Sequence, residues 1–161
     1  TYLERHPADK TVRASHSSWG EGGYSHVWLC GANDWIYRHL HAAAERMERL
    51  ARAFGSHGAT PLEERALNQA ARELFLAQSS DWAFILRAGT VVQYARERLH
   101  RHLHQFFILE EALWSRRIDP HFLASLEAGD NLLPHVDYRL FLEHCDATTG
   151  LRDVAGVPAP V

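Results

Sequence analysis

The chain has 161 residues, 46% hydrophobic and 23% charged, with a formal net charge of −3. That is one domain's length with enough apolar material for a core, which excludes general disorder. Arginine is interleaved with acids, so no basic stripe marks a nucleic-acid face, and no apolar run reaches the roughly 18 residues a membrane span needs. Cys30 and Cys145 form neither a disulfide framework nor a CxxC pair, and the expected compartment is the reducing cytoplasm. No signal peptide opens the chain. "TYLERHP" reads like the tail of a helix and suggests that the start belongs to something longer.

Residues 1–32 are expected to be irregular. "YLERH" fits a short helical turn stopped by Pro7, "KTVRASHSSW" looks extended, and "SSWGEGGYSHVWL" follows with three glycines between two tryptophans. From Asn33 the pattern becomes helical. Asn33 or Asp34 supplies the cap, Ile36, Leu40, Ala43, Met47, Leu50 and Phe54 form one apolar stripe, and Gly55 is the predicted stop. "TPLE" opens a second helix, with Thr60 as cap, Pro61 at the first helical position and Glu63 closing a capping box. Leu62, Ala66, Ala70, Leu74 and Ala77 form its stripe.

The helix breaks or restarts at Ser79 or Ser80 and ends at Gly89. Thr90 opens a third long helix with Val92, Ala95, Leu99, Leu103, Phe106 and Leu113 on its inner face. Asp119–Pro120 starts a short helix to about Glu127, and "AGDNLLPHVDYRLF" is a return segment. Residues 146–161 read as a tail. Three long helices with short loops predict an all-α fold, an antiparallel helical bundle over 33–145 preceded by the irregular Gly/Trp-rich segment.

Among the acids, Glu45, Glu48, Glu63, Glu64, Glu73, Glu97 and Glu110 sit on helical patterns beside arginines and are read as solvated. Glu21 and Asp81 differ, since each lies next to a tryptophan in a break between elements. The plain alternatives are a turn residue for Glu21 and a helix cap or first-turn acid for Asp81. His100 and His104 have the i,i+4 spacing of a ligand pair, and His39 and His41 lie on another helix. No third ligand follows from spacing, and Arg96, Arg98 and Arg101 crowd the same helix, so no metal and no cofactor is expected and the histidines are read as surface residues. No nucleophile elbow or phosphate loop is present.

Trp35 and Trp114 fall within helical patterns and are assigned to the core. Trp19, Trp28 and Trp82 flank the non-helical breaks. Flat aromatic faces beside carboxylates suit sugar rings, since pyranose C–H faces lie on indole while the acid accepts hydroxyl hydrogen bonds. On residues alone, a carbohydrate site and ordinary core packing both stand.

"SSWGEGGYSHVWL", "NDWIYRHLHAAAERM" and "ARELFLAQSSDWAFI" together resemble the C-terminal helical domain of family 57 glycoside hydrolases, most of all their 1,4-α-glucan branching enzymes. "GTVVQYARERLHRHLHQFF" and "DNLLPHVDYRLF" look like the same family continuing, so the resemblance covers about Tyr2 to Phe141. "SSDW" looks like the last of the family's conserved motifs. The resemblance implies a retaining transglycosylase that cleaves an α-1,4 bond and forms an α-1,6 branch. Its catalytic Glu and Asp lie on a (β/α)7 barrel that this chain does not contain.

Carried over by residue, Trp19 and Asp81 look like substrate-binding positions and Trp28 like a second aromatic wall. The implied partners are the α-1,4-glucan and the barrel of the same polypeptide, towards which the Gly-rich loop would fold. No catalytic residue is expected in this chain, and the isolated chain is expected to be inactive and to self-associate weakly through the face around Trp19 and Trp28. An amylase or 4-α-glucanotransferase of the same family, or a helical interaction module without ligand, are the competing readings.

Overall fold

The computed structural model describes residues 2–7 and 10–142. The predicted tail, with Cys145, lies outside them. Six helices follow in order: α1 (Tyr2–Arg5), α2 (Trp35–His57), α3 (Pro61–Ala77), α4 (Ser80–Ala88), α5 (Val92–Ser115) and α6 (Pro120–Gly129). Two 3-10 turns, Glu21–Gly23 and Ser25–Val27, are the only regular pieces described between α1 and α2. There is no strand among the described residues, and none of the helices is long and apolar enough to cross a membrane.

The side-chain pairs between helices give the directions. Glu63 meets Arg116 at 3.9 Å and Glu73 meets His102 at 2.7 Å, so α3 and α5 run antiparallel. Trp35 meets His100, Arg46 meets Glu110 and Phe54 meets Trp114, so α2 and α5 run parallel. The bundle is therefore up (α2), down (α3), up (α5), with α4 placed in the connection between α3 and α5. α6 packs back on α3, tied by Arg65 to Glu127 at 2.6 Å.

The stripe from Ile36 to Phe54 is buried along its full length, as its spacing predicts. α2 runs past the predicted stop. Gly55 is inside the helix, and Gly58, at φ 73, ends it. A Cβ at Gly55 would stand 3.1 Å from Leu142 Cδ1, so this glycine makes room for the returning chain. The capping box of α3 is present: Glu63 N donates to Thr60 Oγ1 at 3.3 Å, and Thr60 N donates to Glu63 Oε2 at 2.8 Å. The Thr60 amide, and after it the Thr60 hydroxyl, hold the Glu63 carboxyl below the usual carboxylate range, with Arg116 adding to the effect against some desolvation. Asp119 caps α6 by accepting from the amides of His121 and Phe122. No cap of this kind forms at Thr90; α5 begins at Val92, after Val91 at φ −120 and ψ 52.

Two readings of the helix faces are corrected by the packing. Glu63, Glu73 and Glu110 are buried rather than solvated, and His102 is buried rather than a surface histidine. α3 is enclosed on more than one side, and its polar residues pair inside. Glu73 accepts from Gln69 at 2.7 Å with one oxygen and meets His102 Nδ1 at 2.7 Å with the other. A carboxylate only accepts, so the imidazole donates from Nδ1. Gln69 also receives Arg72, and Arg72 donates onward to the carbonyls of Leu132 and Leu133. Leu133 is thereby held at φ 58.

Trp114 is the second correction. It is 51% exposed, because it lies one residue past Leu113 and so points off the inner stripe of α5. Trp35 is half-buried, packed edge-on against His39 and His100.

Candidate functional site

The irregular segment before α2 folds on itself before it meets the bundle. Ser18 N donates to Gly23 O at 2.6 Å, Ser18 Oγ to Tyr24 O at 3.0 Å, and Gly23 N to Gly20 O at 3.0 Å. Gly22 and Gly23 have φ of 67 and 75, which favour glycine. A Cβ on Gly20 would come within 3.0 Å of Val27 Cγ2. These glycines thus serve the turning of the loop within this chain.

Three anchors fix the loop. Trp28 donates its indole Nε1–H to the carbonyl of Trp19 at 3.1 Å. Tyr37, on α2, donates its hydroxyl to the carbonyl of Trp28. Burial pushes the Tyr37 hydroxyl above its ordinary titration range, with Cys30 adding to the shift. The third anchor is Asn33. It is fully buried and is not the cap of α2. Its Oδ1 accepts from Cys30 N at 2.8 Å, and its Nδ2 donates to Val27 O at 2.9 Å and Ala83 O at 3.0 Å. One side chain thereby joins the loop, the start of α2 and the middle of α4.

The loop lays its tryptophans against α4. Trp19, Trp28 and Phe84 form a triangle of rings with centroids 6.1 to 6.2 Å apart. Trp19 is 72% and Phe84 40% exposed, while Trp28 is half-buried against the core. Asp81 lies in the first turn of α4, exposed, and accepts from Ser79 Oγ at 2.7 Å. It stands three residues before Phe84, which puts both on one side of the helix. One further turn along, Arg87 meets Glu21 of the loop at 3.3 Å. Glu21 is thus a partner of Arg87, an exposed pair worth at most about 1 kcal/mol.

Of the sequence-predicted site residues, Trp19 and Trp28 are brought into contact, and Asp81 joins them through α4. Trp82 does something else. Its Nε1 donates to Leu76 O at 2.8 Å and its ring packs edge-on against Tyr94, so it pins α4 to the end of α3 and the start of α5. Phe84 was not singled out from the sequence; its place one turn after Asp81 in "SSDWAF" was the available signal. The pattern allows Asn33 or Asp34 as the cap, and nothing local distinguishes a capping Asn from one whose partner lies 50 residues away.

One group has metal-ligand chemistry. Glu73, His102 and Asp130 are all buried, with potential ligand atoms within 4.8 Å of one another. Asp130 meets Arg101 at 2.7 Å and Arg98 at 3.9 Å, and Glu73 is taken up by Gln69 and His102. The carboxylate charge is already matched by guanidinium, which opposes a dication, so the donor set does not fit a metal. The cluster ties α3, α5 and the segment after α6 together.

Comparison with known proteins follows the same outline. The family profile described as 1,4-alpha-glucan branching enzyme, C-terminal, matches residues 39–141. The 1,4-alpha-glucan branching enzyme TK1436 of Thermococcus kodakarensis is 29% identical over 135 residues, covering 81% of this chain and 20% of its own length. The chain thus spans about a fifth of that relative. The crystal structure of TK1436 in complex with glucose and additives superposes with a TM-score of 0.80 at 28% identity, over 87% of this chain and 26% of that one. The GH57-type branching enzyme of Pyrococcus horikoshii gives 0.76 at 28% identity, over 87% of this chain and 27% of that one. The α-amylase AmyC of Thermotoga maritima is 47% identical over 70% of this chain and 21% of its own, with a TM-score of 0.62. With the profile running from α2 through the return segment, and the all-helical bundle shared with those structures, the chain belongs to the family of C-terminal domains of GH57 1,4-α-glucan branching enzymes.

Proposed function

We propose that the intact protein is a 1,4-α-glucan branching enzyme acting on a glycogen-type glucan in the cytoplasm. In this reading a carboxylate of the barrel displaces the α-1,4 bond, forming a covalent glucosyl ester while the departing chain takes a proton from the general acid. A 6-hydroxyl of an acceptor glucan then displaces the ester and returns its proton to that same residue, leaving an α-1,6 branch. Both carboxylates belong to the barrel. This chain supplies glucan contacts: Trp19 and Phe84 as apolar faces for sugar rings, Trp28 as the wall that holds Trp19, and Asp81 as acceptor for sugar hydroxyls.

The observation that carries this reading is the ring triangle of Trp19, Trp28 and Phe84 beside Asp81, because two of its three rings are left substantially open to solvent. Branching is measured on the intact protein by counting chains released with a debranching enzyme. Trp19→Ala should cut branching by at least about tenfold, the loss of roughly 1.4 kcal/mol of glucan contact. Unchanged activity would sink the assignment of Trp19. A second reading, hydrolysis by an α-amylase, is favoured by the 47% identity to AmyC. New reducing ends without new α-1,6 links would establish it over branching.

A further inference from the structure

The two ends of α5 carry different aromatic surfaces. At its start, Tyr94 packs on Trp82 and so belongs to the α4 end of the bundle. At its other end Trp114 is half exposed and rests against Phe54 at 6.1 Å. Twenty residues separate Tyr94 from Trp114, about 30 Å along the helix. Trp114 is thus far from the Trp19 triangle.

Beside it runs an open groove of ≈ 690 Å³ between α2 and α5, lined by Arg46, Phe107, Glu110, Glu111, Trp114 and Ser115. That volume falls within the range of about 300–1,000 Å³ seen for small-ligand sites. Phe107 and Trp114 are seven residues apart, on one face and about 10 Å from each other along the axis; Trp114 is the ring left open to a sugar, while Phe107 carries the Arg46 guanidinium on its face. Glu110 is buried and grips Arg46 at 2.9 Å, and the Arg46 guanidinium lies over the Phe107 ring at 5.1 Å. The Arg46 guanidinium is therefore held in place before any ligand arrives.

We propose that this groove is a second α-glucan-binding site, remote from the first. The inference rests on the reading that the protein acts on α-glucan. The open Trp114 ring face stands here beside the Glu111 carboxylate, the Arg46 guanidinium and the Ser115 hydroxyl, a set that recognises a neutral polyol with apolar C–H faces. Glu110 and Glu111 disfavour a phosphate or another anion. A polymeric substrate long enough to reach both sites would be retained by linkage rather than by tighter contact at either one.

The test follows the tryptophan indole N–H resonances of the intact protein during titration with maltoheptaose, with cellohexaose as the β-linked control. The Trp114 resonance, assigned with Trp114→Phe, should shift saturably with the α-linked sugar only. Trp114→Ala should weaken retention on polymeric α-glucan by at least about tenfold, with its fold verified by an unchanged melting profile. A silent Trp114 beside a shifting Trp19 overturns the second site and leaves the proposed function standing. A shifting Trp114 beside a silent Trp19 supports the second site and overturns the primary one. Both silent overturns both. A Trp114 resonance that moves only with protein concentration makes this face a contact between copies and overturns the proposal.

Discussion

Trp28 holds Trp19 by a single hydrogen bond, indole Nε1–H to backbone carbonyl at 3.1 Å, while Trp19 itself stays largely in solvent. One tryptophan is thus a strut and the other a displayed surface. Trp28→Phe keeps an aromatic ring but removes the donor together with part of the indole packed on the core. The expected result is faster amide exchange over residues 17–24, weaker maltoheptaose binding, and a loss of global stability of about 1–3 kcal/mol, one hydrogen bond plus the apolar area removed. Unaltered exchange in that loop would show that the bond does not hold it.

Asn33 should be intolerant in a specific order. Asn33→Ala leaves Cys30 N, Val27 O and Ala83 O without their partner and should cost about 1–3 kcal/mol. Asn33→Asp preserves size and the acceptor but sets a second oxygen against two carbonyl oxygens, and should cost more. Thermal unfolding of both variants checks this; equal stability of the two would mean that the Nδ2 bonds are not made.

The buried pair of Glu73 and His102 gives the largest expected effect. Glu73→Leu strands the His102 Nδ1–H inside the core and takes from the Gln69 amide one of its acceptors. Removing one partner of a buried pair typically costs about 3–5 kcal/mol. Denaturant unfolding measures it, and a double replacement with His102→Leu should recover part of the loss, since no polar group of the pair is then left unmatched.

The capping box adds a pH dependence. The Glu63 carboxyl titrates below its ordinary range in the folded chain, so its contribution is complete above that range and is lost as the pH falls through the lower folded value. The melting temperature of Glu63→Gln should therefore lie below that of the unaltered chain at neutral pH, with the gap closing on acidification. A gap that widens in acid would contradict the assignment.

Much of the frame was legible from local pattern. The α2 stripe, the Thr60–Pro61–Glu63 start and the Gly89 stop each depend on residues within a few positions, and each appears where the spacing predicts. What was not legible depends on distant partners. Glu73 meets a residue 29 positions away and Gln69 reaches Asp130 at 61, so their polar character hid their burial. Trp114 misled for the opposite reason: a large aromatic in a helical run suggested core, but its angular position beside Leu113 turns it outward. In the candidate site the two loop tryptophans were legible as a pair, whereas Phe84 needed the loop to be laid across α4.

α4 buries only Ala83 and Leu86, while Asp81, Phe84 and Arg87 on it are exposed. The long helices α2, α3 and α5 carry most of the core without it. Evolution can therefore rewrite the exposed side of this nine-residue helix, and the loop that leans on it, without disturbing the packing of the scaffold. The same separation offers a practical graft point, where exposed positions of α4 can be exchanged between relatives to test the proposed glucan contact while the scaffold is inherited intact.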